Sequence, residues 1–483
     1  MKESKLISLF QSIHPDEMRW LAKWVRSPYY NSNEYVIYLF DYIRKYGPEF
    51  TSNKLEKHKV YENLFPGKLY DDQRLRVLMF RLADLVEDFI VAERLKKDSF
   101  QKQRLLYAEL GERNLYDQFD KKKQELLNQL DKAPYRDEYY YLAQWRLQHD
   151  HFFHPQTYRY QDSSIFLEEM MQNLDAFFLL AKIRYSTELR NRQNIFSEEH
   201  KIFLLDESKA LVLEHPVFSH QIVFQVYTDI LGLMGNPSDE VIFQRLQQNI
   251  SQHLDLFRPS DQSSMVRYLI NTTIQLYQKG KSGYLNNQFD LYELGLKKNL
   301  FLNDGLLPDG TFLNIIVTAT VLGKLMWAEK FISEYAPMLP ETKQVDAINL
   351  AKAYWYFSKL EFKESLNLLR QIESSDLQYL LRIKSLSLRN HFELFLDDDT
   401  YYELVSYESK AFQKFLRRHE FLSEDRILSY IKFISFIRKL ASLKTNFQLS
   451  DKKLQKLKGK LHHKDSIIAK SWLEDKLTQL MQR

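Results

Sequence analysis

Helix-breaking residues are scarce along this chain: 12 glycines and 12 prolines in 483 residues, about 2.5% each against ordinary usage of roughly 7% and 5%. Sandwiches and barrels need a turn signal every ~8 to 12 residues, and doubly wound sheets need glycine where strand meets helix. Depletion of both punctuators therefore argues against β architectures and for long uninterrupted helices. An apolar fraction of 44% is enough for a sizeable core, over a length that allows roughly three domains or one extended repeat array. The 30 Tyr, 33 Phe and 6 Trp point to broad helix-to-helix contacts filled by rings.

Residues 1–98 read as an N-terminal helical module of five helices. Pro15, Asp16 and Glu17 open one whose apolar stripe is Met18, Leu21, Trp24 and Val25 and which stops at Ser27-Pro28. Asn31-Ser32-Asn33 starts the next, and Asp71-Asp72 opens a strongly amphipathic helix with Leu75, Leu78, Leu82, Leu85 and Phe89 at alternating spacings of three and four. From 99 to 309 an irregular helical-repeat region follows, whose longest helix is expected from about Ser163 to Arg192. Basic capping helices are expected over 441–483.

Between them, residues 310–440 contain a repeat. Phe312, Ile315, Ile316 and Ala319, then Ala328, Ile332 and Pro340, take the tetratricopeptide spacing; Asn349, Lys352, Ala353 and Tyr356, then Ser365 and Leu369, take it again after 37 residues. Small Ala328, Ala353 and Ser365 would sit where paired helices cross, with Tyr356 and Leu369 beside them. The consensus Trp and Gly are missing from both copies. With the stretches Lys68 to Phe89, Leu174 to Tyr185 and Leu291 to Leu307, the repeats make the chain resemble an uncharacterised bacterial all-helical family with tetratricopeptide-like repeats. That resemblance implies an all-α fold, an α-solenoid of antiparallel helix pairs behind the N-terminal module, and brings no activity or functional residues with it.

Several chemistries are absent. With no cysteine there is no disulfide, thiolate nucleophile or Cys-ligated metal. The run Leu6 to Phe10 is too short for a signal-peptide core, and Phe312 to Gly323 too short and polar for a membrane span. A cytoplasmic protein without membrane insertion is expected. No two glycines are separated by one residue, so the dinucleotide fingerprint is missing, and Gly280-Lys281-Ser282 lacks the leading glycine of a P-loop. None of the 13 His forms an i, i+4 pair or a Glu-x-x-His. His149, Asp150, His151 and His154 cluster before Pro155 and read either as a polar helix end or as an ion site. Asp397, Asp398 and Asp399 read as helix-start acids, with a divalent-cation role as the alternative. No catalytic residue, cofactor or metal site is expected.

Net charge is +4, but residues 441–483 carry ten Lys or Arg against four Asp or Glu, a local +6. Leu454, Leu457, Leu461, Ile468, Trp472 and Leu480 line one side of that tail and Lys452, Lys453, Lys456, Lys460 and Lys464 mostly another, the pattern of a terminal cap. Residues 135–160 interleave nine aromatics with Arg136, Arg146 and Arg159, either interhelical core or a surface for stacked bases or peptide rings. The reading is a non-catalytic interaction scaffold that binds a protein or peptide in a helix-lined groove, with Asn349, Lys352, Lys359, Tyr139 and Arg146 as candidate partner-binding residues. The alternatives are a nucleic-acid-associated regulator using the N-terminal module and the basic tail, and an enzyme whose site is assembled from distant residues.

Overall fold

The computed structural model describes residues 1–155, 165–196, 200–418, 424–445, 451–462 and 467–482. Among them there are 24 α-helices and no strand, and helix takes up 80% of the residues. They fall into two compact units, Met1–Ala133 with Ala143–Gln172, and Pro134–Leu142 with Asn173–Arg483. Tyr158, Arg159, Tyr160 and Lys464 lie outside the described residues.

In the first unit, helices Lys5–Ser12, Pro15–Val25, Glu34–Ile43 and Lys57–Leu64 pack around the 26-residue helix Asp72–Lys97. Three of these five starts carry a side-chain cap, at His14, Asn33 and Asp71. Asn33 Oδ1 accepts from Tyr35 N (3.0 Å) and Asp71 Oδ1 from Arg74 N (2.9 Å), which satisfies amides that have no intrahelical acceptor. Leu75, Leu78, Leu82, Leu85 and Phe89 are all buried, in one core with Phe10, Val25, Phe40 and Val60. The three-four spacing thus faces a common seam, as period 3.6 requires.

The second unit is a succession of helical hairpins: Ile222–Gly235 with Glu240–His253, Pro259–Gln278 with Tyr284–Lys297, Asp309–Val321 with Leu325–Tyr335, Gln344–Ser358 with Phe362–Leu369, and Leu377–Asp397 with Tyr402–Arg418. Asp309–Val321 also packs on Gln344–Ser358, the first helix of the following pair. Ala328, Ala353 and Ser365 have 0% of their surface exposed. Ser365 Oγ donates to the Ala353 carbonyl (2.9 Å) and accepts from Asn390 Nδ2 (2.9 Å), so a single hydroxyl ties three helices together. Rings fill the space beside the crossings: Phe331 lies 5.2 Å from both Phe312 and Trp327 and 4.7 Å from Tyr335. In the second copy the buried ring is Tyr354; Tyr356 is half-buried, because it lies off the buried stripe of Ala347, Leu350, Ala351 and Tyr354.

Three of the five hairpin turns share one backbone solution. Gly280, Gly323 and Leu360 all adopt left-handed φ, at 90°, 72° and 65°. The next amide then reaches back into the preceding helix: Lys281 N to Leu276 O (3.1 Å), Lys324 N to Ala319 O (2.9 Å) and Glu361 N to Tyr356 O (3.0 Å). This is the six-to-one bond of a Schellman cap. Gly323 and Leu360 are 37 residues apart, the offset of the sequence repeat. Gly280-Lys281-Ser282 is therefore a helix terminus.

The last helix, Lys470–Met481, buries Leu473, Leu477 and Leu480 in a core shared with Phe392, Phe433 and Leu461. Glu393, itself buried, accepts from Trp472 Nε1 (2.7 Å) and Lys476 Nζ (2.7 Å). Tyr277 and Ser471 share a 2.6 Å hydroxyl bond.

Two outcomes follow. Ala328→Arg places an unpaired guanidinium where no surface is exposed and should cost several kcal/mol, on the order of 3 to 5, read as a lowered urea midpoint. Leu360 is 71% exposed and strained by its positive φ, so Leu360→Gly should instead stabilise by about 0.5–1 kcal/mol. An unchanged or lower midpoint for Leu360→Gly would rule out the strained cap.

Candidate basic groove

Helices Tyr402–Arg418, Glu424–Thr445 and Asp451–His462 each turn one face toward a common groove of about 800 Å³. Tyr402, Val405, Ser406 and Gln413 come from the first, Ile431, Ile434, Ser435, Arg438 and Ser442 from the second, and Lys453, Lys456, Leu457 and Lys460 from the third. Members recur at steps of three and four within each helix, with one longer step to Gln413 and an adjacent residue alongside at Val405 and Ser406, Ile434 and Ser435, and Lys456 and Leu457, so one stripe of each helix faces the groove. Val405, Ile434 and Leu457 are buried and form the inner wall. Arg438, Lys439, Lys453, Lys456 and Lys460 are exposed, and among the described residues the lining contains no carboxylate.

This charge arrangement is selective. Lys444, near the same helix end, donates to Asp399 (2.5 Å) and to the Phe395 carbonyl (2.9 Å), so its charge is neutralised locally. Arg438, Lys439, Lys456 and Lys460 have no recorded acidic partner among the described residues. Like charges gathered over a low-dielectric wall raise the local potential and draw in anions. The groove can thus hold an extended anionic ligand with an apolar side. Its only aromatic member is Tyr402, so it offers no series of rings on which bases could stack.

The five candidate residues are distributed differently. Asn349 is half-buried and Lys352 exposed, one turn apart on Gln344–Ser358. Lys359 is held by Glu361 (2.8 Å) and lies 4.4 Å from the Trp355 ring, so its charge is engaged internally. Tyr139 is exposed beneath the Arg258 guanidinium (5.0 Å), which also pairs with Asp137. Arg146 is exposed on the same helix as Tyr139, Glu138–Phe152, and belongs to the first unit. Within the aromatic stretch, Tyr141 and Phe152 are buried while Tyr139 and Phe153 are exposed. In the sequence Lys453, Lys456 and Lys460 read as one face of a capping helix; Ser435, Arg438 and Ser442, three and four residues apart, form a polar stripe that periodicity alone does not bring to those lysines.

The acidic and histidine clusters are used structurally. Asp398 accepts from Thr400 N (2.9 Å), which holds its carboxyl below the ordinary value, and Asp399 pairs with Lys444. His151 stacks on Phe119 (5.4 Å, 9°) with Nε2 3.0 Å from Asp120 Oδ1; His154 Nε2 donates to the Gly111 carbonyl (3.1 Å). No group of three or more His, Asp or Glu among the described residues is arranged to hold a metal ion. No described helix is long and apolar enough to cross a membrane.

Burial, reinforced by the Lys123 ammonium and His154, pushes His151 below its ordinary 6.5, with Asp120 opposing. The folded protein then prefers the neutral ring, while the unfolded chain takes up the proton as pH falls through about 6.5. Stability should therefore decline from about pH 7.5 to about pH 5.5, and His151→Gln should make that decline shallower in thermal melts. Parallel pH profiles for the two proteins would show that His151 carries none of it.

No protein-family model, curated protein or solved structure matches the chain.

Proposed function

We propose that this chain is a non-catalytic cytoplasmic scaffold that holds a segment of a partner protein in a helix-lined groove. The observation that supports the reading is the groove itself: exposed Arg438, Lys439, Lys456 and Lys460 gather around half-buried Ile431 and Leu443, with no carboxylate among the described lining residues. Helix-lined grooves of this kind take amphipathic segments of other proteins. The hairpins support it further. Their 37-residue offset, small residues at the crossings and repeated left-handed turns resemble tetratricopeptide units, and we read them as a right-handed, tetratricopeptide-like solenoid capped by the C-terminal helices. Fold class alone does not name an activity; the groove chemistry supports the reading. Asn349 and Lys352 form a second, smaller face, able to grip a peptide backbone or carboxylate.

The test is affinity purification of the tagged full-length chain from its own cells, with and without nuclease. A specific protein that co-purifies in both samples is the expected result. Co-purification that vanishes with nuclease would replace the scaffold by the nucleic-acid reading, and turnover of a small molecule by the purified chain would replace it by an enzyme. Asn349→Ala with Lys352→Glu, melting normally, should lose the partner if that face grips it; an unchanged partner list removes the face.

A further inference from the structure

We infer that the segment held in the basic groove is an amphipathic helix with one acidic face. This rests on the scaffold reading and specifies its ligand. The argument begins with spacing. Lys456 and Lys460 stand four residues apart on Asp451–His462, so their attachment points advance about 6 Å along the helix. Carboxylates four apart on a facing helix repeat over the same distance. Arg438 and Lys439 supply cations from the neighbouring helix, so an acidic face meets positive charge from two directions.

The apolar lining decides what else the ligand carries. Half-buried Ile431 and Leu443 offer aliphatic surface beside the cations, which stays wet against a purely polar polyanion and is covered by Leu or Ile side chains on the other edge of a ligand helix. A nucleic-acid strand would bring phosphates but also bases. Apart from Tyr402, no ring lines the groove to stack them. Four of the five cations are lysines, which act as point charges and impose no planar two-pronged geometry. The groove accordingly selects for charge and apolar shape over any one phosphate or guanidinium-matched group. Ser406, Ser435 and Ser442 provide hydroxyls that can donate to ligand carboxylates.

The probes are three fluorescent peptides of about 18 residues, long enough for marginal helicity, with one Leu/Ile face and a second face of Glu, Gln or Lys, and a single-stranded oligo-dT. Binding to the full-length chain is read by anisotropy. The Glu peptide should bind at least about tenfold more tightly than the Gln peptide and weaken as salt rises from about 50 to about 300 mM. Lys456→Glu with Lys460→Glu alters exposed side chains and should leave the melting curve unchanged, yet weaken the Glu peptide at least about tenfold; Lys456→Arg with Lys460→Arg should retain it. Equal binding of the Glu and Gln peptides, or tighter binding of oligo-dT that is lost in the charge-reversed variant, overturns the inference. Failure of the inference alone leaves a nuclease-resistant partner that still binds the charge-reversed chain, whereas failure of the scaffold reading leaves no such partner at all.

Discussion

Close approach of paired helices at Ala328, Ala353 and Ser365 is the constraint on which the second unit depends. None of the three exposes any surface, and each lets two backbones come nearer than a Leu or Phe would allow. That closeness brings the Ser365 hydroxyl within reach of the Ala353 carbonyl and Asn390. It also leaves wedge-shaped gaps on either side of the crossing, and rings fill them: Trp327, Phe331 and Phe312 on one hairpin, Tyr354 on the next. The high aromatic content follows from this geometry. Flat, rigid side chains cover large areas at low entropy cost, and offset stacking adds to what burial contributes.

The turns between paired helices are the second element of the same design. A left-handed residue reverses the chain within three residues and satisfies a free carbonyl of the preceding helix. Two of the three equivalent turns use glycine; Leu360 tolerates the same φ because the rest of the hairpin holds it there. Asp309–Val321 also packs on Gln344–Ser358, the first helix of the next hairpin. Polar links reinforce the stack: Tyr379 donates to Asp309 (2.9 Å) and Arg382 to Asn314 (2.6 Å). Burial of the Tyr379 hydroxyl beside that carboxylate raises its pKa, which keeps it a donor.

Local compensation of charge separates structural cations from those available to a ligand. Arg184 pairs with Glu138 (2.8 Å) and Asp261 (2.9 Å), Lys476 with Glu393, and Lys444 with Asp399. Each removes the cost of a partly buried charge. Arg438, Lys456 and Lys460 follow the opposite rule: they are exposed, near one another, and line a groove without a carboxylate among the described residues. Mutual repulsion among them costs little in water and at moderate salt. It becomes attraction once an acidic surface arrives, which is why the groove carries the functional reading.

The all-helical fold was legible in the sequence because its signals are local. Glycine and proline depletion, the stripe from Leu75 to Phe89, the caps at Asn33 and Asp71, and the small residues Ala328, Ala353 and Ser365 each depend on neighbours within one or two turns, where period and spacing determine which side chains share a face. The buried stripe of Gln344–Ser358 was not legible to one residue, and so Tyr354 rather than Tyr356 takes the core. The fate of each charge was legible still less. Lys359 reads as a partner-binding candidate and Asp399 as a helix-start acid, yet they meet Glu361 and Lys444, while the tail lysines read as the polar face of a cap yet line one groove with Arg438. By itself the sequence determined which residues are helical and which faces are apolar. Only the tertiary structure decided which cations are neutralised and which converge on a groove, because electrostatic interaction depends on distances between elements that no periodicity records.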